Sequence, residues 1–147
     1  MKHSEGSLRR VFAVTFEHGD SLVGSLVEFV KSKGIRNGYI FFLGALEQGR
    51  LVTGPKDLSL PAVPMWGEFS DGREVIGIGS VAWDGDTPRP HIHACAGRAG
   101  DTLLGCLREG GRVHLVVEAV LFEVEFESLT RGFDAGAGAY LPKHEER

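Results

Sequence analysis

The sequence predicts an α+β domain: a mainly antiparallel mixed sheet carrying one principal helix. Three observations lead there. Only "DSLVGSLVEFVKSKG" has apolar residues at helical spacing, while the other apolar segments alternate or run unbroken like strands. Strands and helices do not alternate along the chain, which argues against a doubly wound parallel sheet. Finally, the 21 glycines, about twice ordinary usage, are scattered between apolar runs and mark turns and bulges rather than a flexible tail.

Taken in order, "RRVFAVTFEHG" reads as the opening strand. In the helix that follows, Asp20 is the expected N-cap, and Leu22, Leu26, Phe29 and Val30 form the apolar stripe. Gly34 is placed to end it in a left-handed conformation. "NGYIFFLGALEQGRLVTG" reads as two strands bent at Gly44, and the proline-bearing stretch from Pro55 to Met65 as a loop or sheet edge. "GREVIGIGSVAW" is a β-branched strand, "DGDTPRP" a turn, "HIHACAG" a short strand and "DTLLGCLREGG" a short extended element. "RVHLVVEAVLFEVEFESL" is the longest strand signal. The whole chain, residues 1–147, reads as one domain with its core at about 10–126. The tail, residues 130–147, has weak signals and is expected to pack loosely. Unbroken apolar strands imply burial on both faces, partly against another subunit.

Composition narrows the functional classes. Hydrophobic residues make up 42% and charged residues 24%, a globular balance. No apolar run approaches the roughly 20 residues of a membrane span, and "MKHSEGSLRR" lacks the apolar region of a signal peptide. A cytoplasmic protein is expected, with Cys95 and Cys106 as free thiols or ligands. The formal net charge of −4 opposes direct DNA binding, which draws its affinity from cations on phosphates.

The chemistry-bearing stretch is "PRPHIHACAG", residues 88–97. In a strand, His91, His93 and Cys95 share one face and Ile92 and Ala94 the other. Two imidazoles so placed can share a metal ion, and zinc takes nitrogen and thiolate ligands, three from protein where one position stays open. Two hydrogen-bonded surface histidines fit the same spacing, and spacing alone does not choose between Cys95 and Cys106 as a third ligand.

The order of "GIRNGYIFFLGAL", "GREVI" and "PHIH" followed by "LLGCLREGGRVHLVVEAVL" resembles the PPC (plant and prokaryote conserved) domain, from about Arg10 to Glu125. "GREVI" lacks the Phe of the family's Gly-Arg-Phe-Glu-Ile-Leu motif. The resemblance implies a homotrimer in which neighbours extend the sheet. It also implies a three-histidine metal site, with zinc or another divalent transition metal, onto which His91 and His93 fall directly. The third position falls on Cys106, so the site either survives as His₂Cys, with Cys95 a core thiol beside it, or has lost its metal. Family members that bind DNA carry an AT-hook, an Arg-Gly-Arg-Pro element; "TPRPHI" is the nearest text here and lacks the basic flanks.

Two functions are consistent with this. One is a trimeric DNA-binding or regulatory module that engages a protein partner or a small-molecule ligand. The other is a metal-dependent lyase or hydrolase acting on a small carbonyl compound, by analogy with acetolactate decarboxylase, whose fold is similar. For the enzyme, Glu74 is the first candidate proton donor and Glu118 the second, and a shared cavity between Glu74 and the histidines is required. His18 and His114 read as ordinary histidines.

Overall fold

The structure, a computed structural model, describes residues 1–144. Strand β1 (Gly6–Glu17) leads into helix α1 (Leu22–Lys33), and six strands follow: β2 (Gly38–Pro55), β3 (Pro64–Phe69), β4 (Arg73–Asp84), β5 (Thr87–Arg98), β6 (Asp101–Phe126) and β7 (Leu129–Asp134). A last strand, β8 (Ala139–His144), pairs with β7 in a separate hairpin. The expected α+β architecture with a single helix is what forms, and every strand pairing among the described residues is antiparallel.

The main sheet runs β1-β6-β5-β4-β2-β3 and also pairs β6 with β2. The pairings β2–β4, β4–β5, β5–β6 and β6–β2 therefore close a circuit of four strands. Strand β6 makes this possible by its length. Its first part pairs with β5 and its later part with β2 and β1. Gly110 and Gly111, at φ 73° and 68°, lie just beyond the β5 pairing, inside the stretch that pairs with β2. The two elements expected over this region are one strand because neither glycine ends the pairing to β2.

Helix α1 buries Leu22, Leu26 and Val30 in a core shared with Ile35 and with sheet residues such as Ile92 and Val113. Each such aliphatic side chain contributes roughly 1.5–3 kcal/mol when fully buried. The N-cap is Ser21 rather than the expected Asp20: the Ser21 hydroxyl oxygen accepts from the Gly24 N–H at 3.2 Å. Asp20 instead accepts from the Glu17 N–H at 2.9 Å and holds the turn out of β1. Gly34 ends the helix at φ 66°, as its position predicts.

Strand β2 is also continuous where two strands were expected. The bend at Gly44 is present, at φ 145°, as a register shift against β6. Opposite it, Leu115 and Val116 bulge out between His114 and Val117, and a Cβ on Gly44 would strike the Val116 carbonyl.

The segment from Thr130 differs most from expectation. Residues 129–144 form the β7–β8 hairpin, which is tied to β4 through Arg131. That side chain is buried and donates to the Ser80 hydroxyl at 3.1 Å and to the Tyr140 carbonyl at 3.2 Å. One buried arginine and its two acceptors fix a segment whose glycines and alanines carry no periodic signal. The last three residues of the expected tail, 145–147, lie outside the described residues.

Candidate metal centre

Register brings the site together. On β5, Ile92 and Ala94 turn into the core, and His91 and His93 face outward, as alternation predicts. His93 lies opposite Cys106 of β6, and Cys106 in turn lies opposite Val52 of β2. Gly105 permits this approach: a Cβ there would collide with the Val52 carbonyl oxygen.

The ligand atoms of His91, His93 and Cys106 all lie within 4.8 Å of one another. The two Nε2 atoms are 3.2 Å apart, with the rings perpendicular. Tetrahedral bonds of about 2.0–2.1 Å would place two nitrogens about 3.3 Å apart, so the two histidines, at hydrogen-bond distance from each other, are also at ligand–ligand spacing for a zinc-type ion. The geometry selects Cys106 over Cys95. Cys95 is not a core thiol: it is half-buried on the outward face, with Ile76 and Leu104 as cross-strand neighbours.

The electrostatics suit ligation. Burial, reinforced by Arg131, His93 and Arg108, pushes the His91 pKa down to about 4, which keeps its lone pair available near neutrality. Burial pushes the Cys106 thiol up, while the nearby Arg108 guanidinium and Ile92 N–H pull the other way. A metal would displace the thiol proton, and those two donors favour the resulting thiolate.

The cluster opens into a cleft of about 630 Å³. Strands β3, β6, β7 and β8 contribute Trp66, Arg108, Phe133 and Tyr140 to its walls.

Glu74 does not share this cleft. It is exposed, in a separate hollow of about 700 Å³ with Asp71, Arg98 and His114. Along β4 it is four residues from Ile78, the partner of His93, or about 13 Å. Glu118 is exposed too, beside Phe41 and Leu43 on the outer face of the sheet.

A second ligand-type group escaped the sequence reading. His18, Glu47 and His114 also converge within 4.8 Å, from three distant parts of the chain. Only the pairing of β6 with β1 and β2 brings them together, so no local spacing could have revealed them. They suit a metal less well. Arg112 already pairs with Glu47 at 2.9 Å. The Leu115 N–H donates to His18 Nδ1 at 3.3 Å, which in the neutral ring leaves the proton on Nε2 and no free nitrogen lone pair.

No curated protein matches the chain. Solved structures do. A metal-containing protein of Archaeoglobus fulgidus superposes with a TM-score of 0.84 at 25% identity, over 96% of this chain and 98% of that one. A plant- and prokaryote-conserved (PPC) protein of Pyrococcus horikoshii gives 0.82 at 24% identity, over 100% and 99%. A proposed DNA-binding protein of Bacteroides thetaiotaomicron gives 0.77 at 21% identity, over 96% and 99%. The sequence profile of the Plants and Prokaryotes Conserved (PCC) domain matches residues 3–125, which include the strands bearing His91, His93 and Cys106. The chain therefore belongs to the Plants and Prokaryotes Conserved domain family.

Proposed function

We propose that the protein binds a zinc-type divalent metal on His91, His93 and Cys106, with a fourth position open to the adjoining cleft. The observation that carries this reading is the convergence of three donors within 4.8 Å, two of them at ligand–ligand spacing. The Archaeoglobus relative, described as metal-containing, supports it. A cytoplasmic setting, where both thiols stay reduced, belongs to the same reading.

The working form is a homotrimer. Phe41 and Leu43 of β2 lie opposite Ile78 and Ile76 of β4, and Phe41 also lies opposite Val120 of β6. All five side chains are exposed on one outer face, an apolar patch of the kind that marks an interface. His93 and Cys95 continue the rows of Ile78 and Ile76 on β5, so the patch adjoins the metal group. Further copies of this chain are its occupants, in keeping with the family resemblance.

An open metal position facing a cleft favours a small-molecule role, as a ligand-binding module or as a lyase or hydrolase of a small carbonyl compound. Bound metal would supply Lewis acidity there. Glu74, about 13 Å along β4 from the site, can act as proton donor only if assembly brings another copy's hollow to the cleft. Direct DNA binding has weaker support. Arg9, Arg10, Arg50, Arg73 and Arg112 are each paired with a carboxylate, and the formal net charge of −4 opposes binding to phosphates.

The test is metal content per subunit by elemental analysis, on tag-free wild type and Cys106→Ala. The expected result is about one zinc per wild-type subunit, lost in the variant. A wild type that holds no metal after zinc is offered and the excess removed sinks the reading.

A further inference from the structure

The family match ends at residue 125, yet a large part of the cleft over the metal group comes from later residues. Phe133 and Tyr140, on the β7–β8 hairpin, form one wall, their rings 5.5 Å apart and edge to face. Trp66 of β3 stands among the other lining residues. Two of these rings are held from outside the aromatic wall: the Arg50 guanidinium lies 4.1 Å from the Trp66 centroid, and that of Arg89 lies 4.3 Å from Tyr140. The cleft is thus walled by aromatic surface and lies within the size range of small-molecule sites.

Its charge is one-sided. Glu109 is the acidic residue of the lining, and Arg50 pairs with it at 3.0 Å. Arg108 also lines the cleft and forms no ion pair among the described residues. Arg131, more than nine-tenths buried, lies outside this lining, and among the described residues its acceptors are the Ser80 hydroxyl and the Tyr140 carbonyl.

We propose that this cleft binds a small carboxylate with a flat apolar body, its anionic end between Arg108 and the metal group and its body on Trp66, Phe133 and Tyr140, so that the β7–β8 hairpin selects the ligand. A carboxylate fits because one free guanidinium and one open coordination position offer two points for its two oxygens. The inference rests on the metal reading above for one of those two points, and on the hairpin and Arg108 for the rest.

The experiment is calorimetric titration of the zinc-loaded full chain with phenylacetate, its neutral amide phenylacetamide, and acetate. Phenylacetate should bind at least tenfold more tightly than either of the others. Arg108→Gln should abolish its advantage over the amide, and Phe133→Ala its advantage over acetate, both with zinc content unchanged. Phe133 is exposed, so its truncation leaves the core intact, and Phe133→Tyr should restore binding. Absence of binding by phenylacetate, equal binding of acid and amide, or indifference to Phe133→Ala overturns the proposal. The two readings fail separately. Zinc at one per subunit without discrimination among the three probes removes the carboxylate cleft alone. A chain that takes up no zinc yet still discriminates, and loses that discrimination in Arg108→Gln, upholds the cleft and removes the metal.

Discussion

Strand β6 contributes to two groups of ligand-type side chains, and they are built in opposite ways. At Cys106 the ladder is in register with β5, the donors are backed by core, and burial alters their chemistry. At His114 the ladder is broken by the Leu115–Val116 bulge, the histidines are exposed, and the carboxylate is already paired. Proximity is equal in the two groups. What separates them is burial and charge pairing: Cys106 and His91 sit against the core with no ion pair, whereas in the second group Glu47 is paired with Arg112 and His18 accepts from a backbone N–H. Convergence within 4.8 Å therefore selects candidates, and burial together with ion pairing separates them.

The largest effect should come from breaking each group in turn. His91→Ala should abolish zinc retention, and His18→Ala with His114→Ala should leave it at the wild-type level. Loss of a mere supporting contact costs about 10–100-fold in metal affinity, so loss of a direct ligand should exceed that range. Competition with a chromophoric chelator measures it. Retention by His91→Ala with loss in the double variant would exchange the roles of the two groups.

Next in size is Gly105→Ala. Its new methyl would meet backbone at Val52, which cannot swing aside as a side chain can. Overpacking of this kind costs about 1–3 kcal/mol, and here the strain falls on the residue beside Cys106. Urea unfolding should show the lost stability, and chelator competition a weaker site. Normal stability together with normal zinc affinity would mean that β2 and β6 separate freely at this point.

Acid should act on the first group through His91. Its pKa is about 4 in the folded chain, against about 6.5 for an unperturbed histidine, so in that interval the unfolded state binds more protons. This contribution to stability is complete above about pH 6.5 and disappears as pH falls toward 4, amounting to on the order of 1–3 kcal/mol. Metal-free wild type should thus lose more stability than His91→Gln over that interval. Parallel curves for the two proteins would remove burial as the cause of the neutral ring.

How far the sequence revealed these features follows the range of the interactions behind them. Helix α1, its end at Gly34 and the outward pairing of His91 with His93 depend on neighbours a few residues away, and periodicity shows them. Even so, Ser21 rather than Asp20 caps the helix, because both are good caps and only the exit from β1 decides between them. Cys106 needed family resemblance, since its approach to His93 depends on strand register. The β7–β8 hairpin was hidden because it is anchored by Arg131, a residue type rarely buried, to a serine far away in sequence. The bulge was hidden as well: "RVHLVVEAVL" reads as unbroken strand, and nothing in it announces that Leu115 will adopt φ 59°.

That leucine supports the smallest prediction and the sharpest test of the bulged region. A left-handed conformation costs a non-glycine residue roughly 1–2 kcal/mol, and a glycine gives back about 0.5–1 kcal/mol through lost chain entropy. Leu115 is 70% exposed in the single chain, so few contacts there compensate the strain. Leu115→Gly should therefore stabilise the isolated subunit by up to about 1 kcal/mol, read as a rise in the urea midpoint at a concentration where the protein is monomeric. At concentrations that favour assembly the same variant tests why a large apolar side chain is held out in a strained position. If Leu115 packs on a neighbouring copy, the variant should form the trimer less readily in sedimentation equilibrium, and the strain is maintained by association. If assembly is unchanged and stability rises, the bulge serves only to accommodate the bend at Gly44, and the second group of histidines is a by-product of that bend.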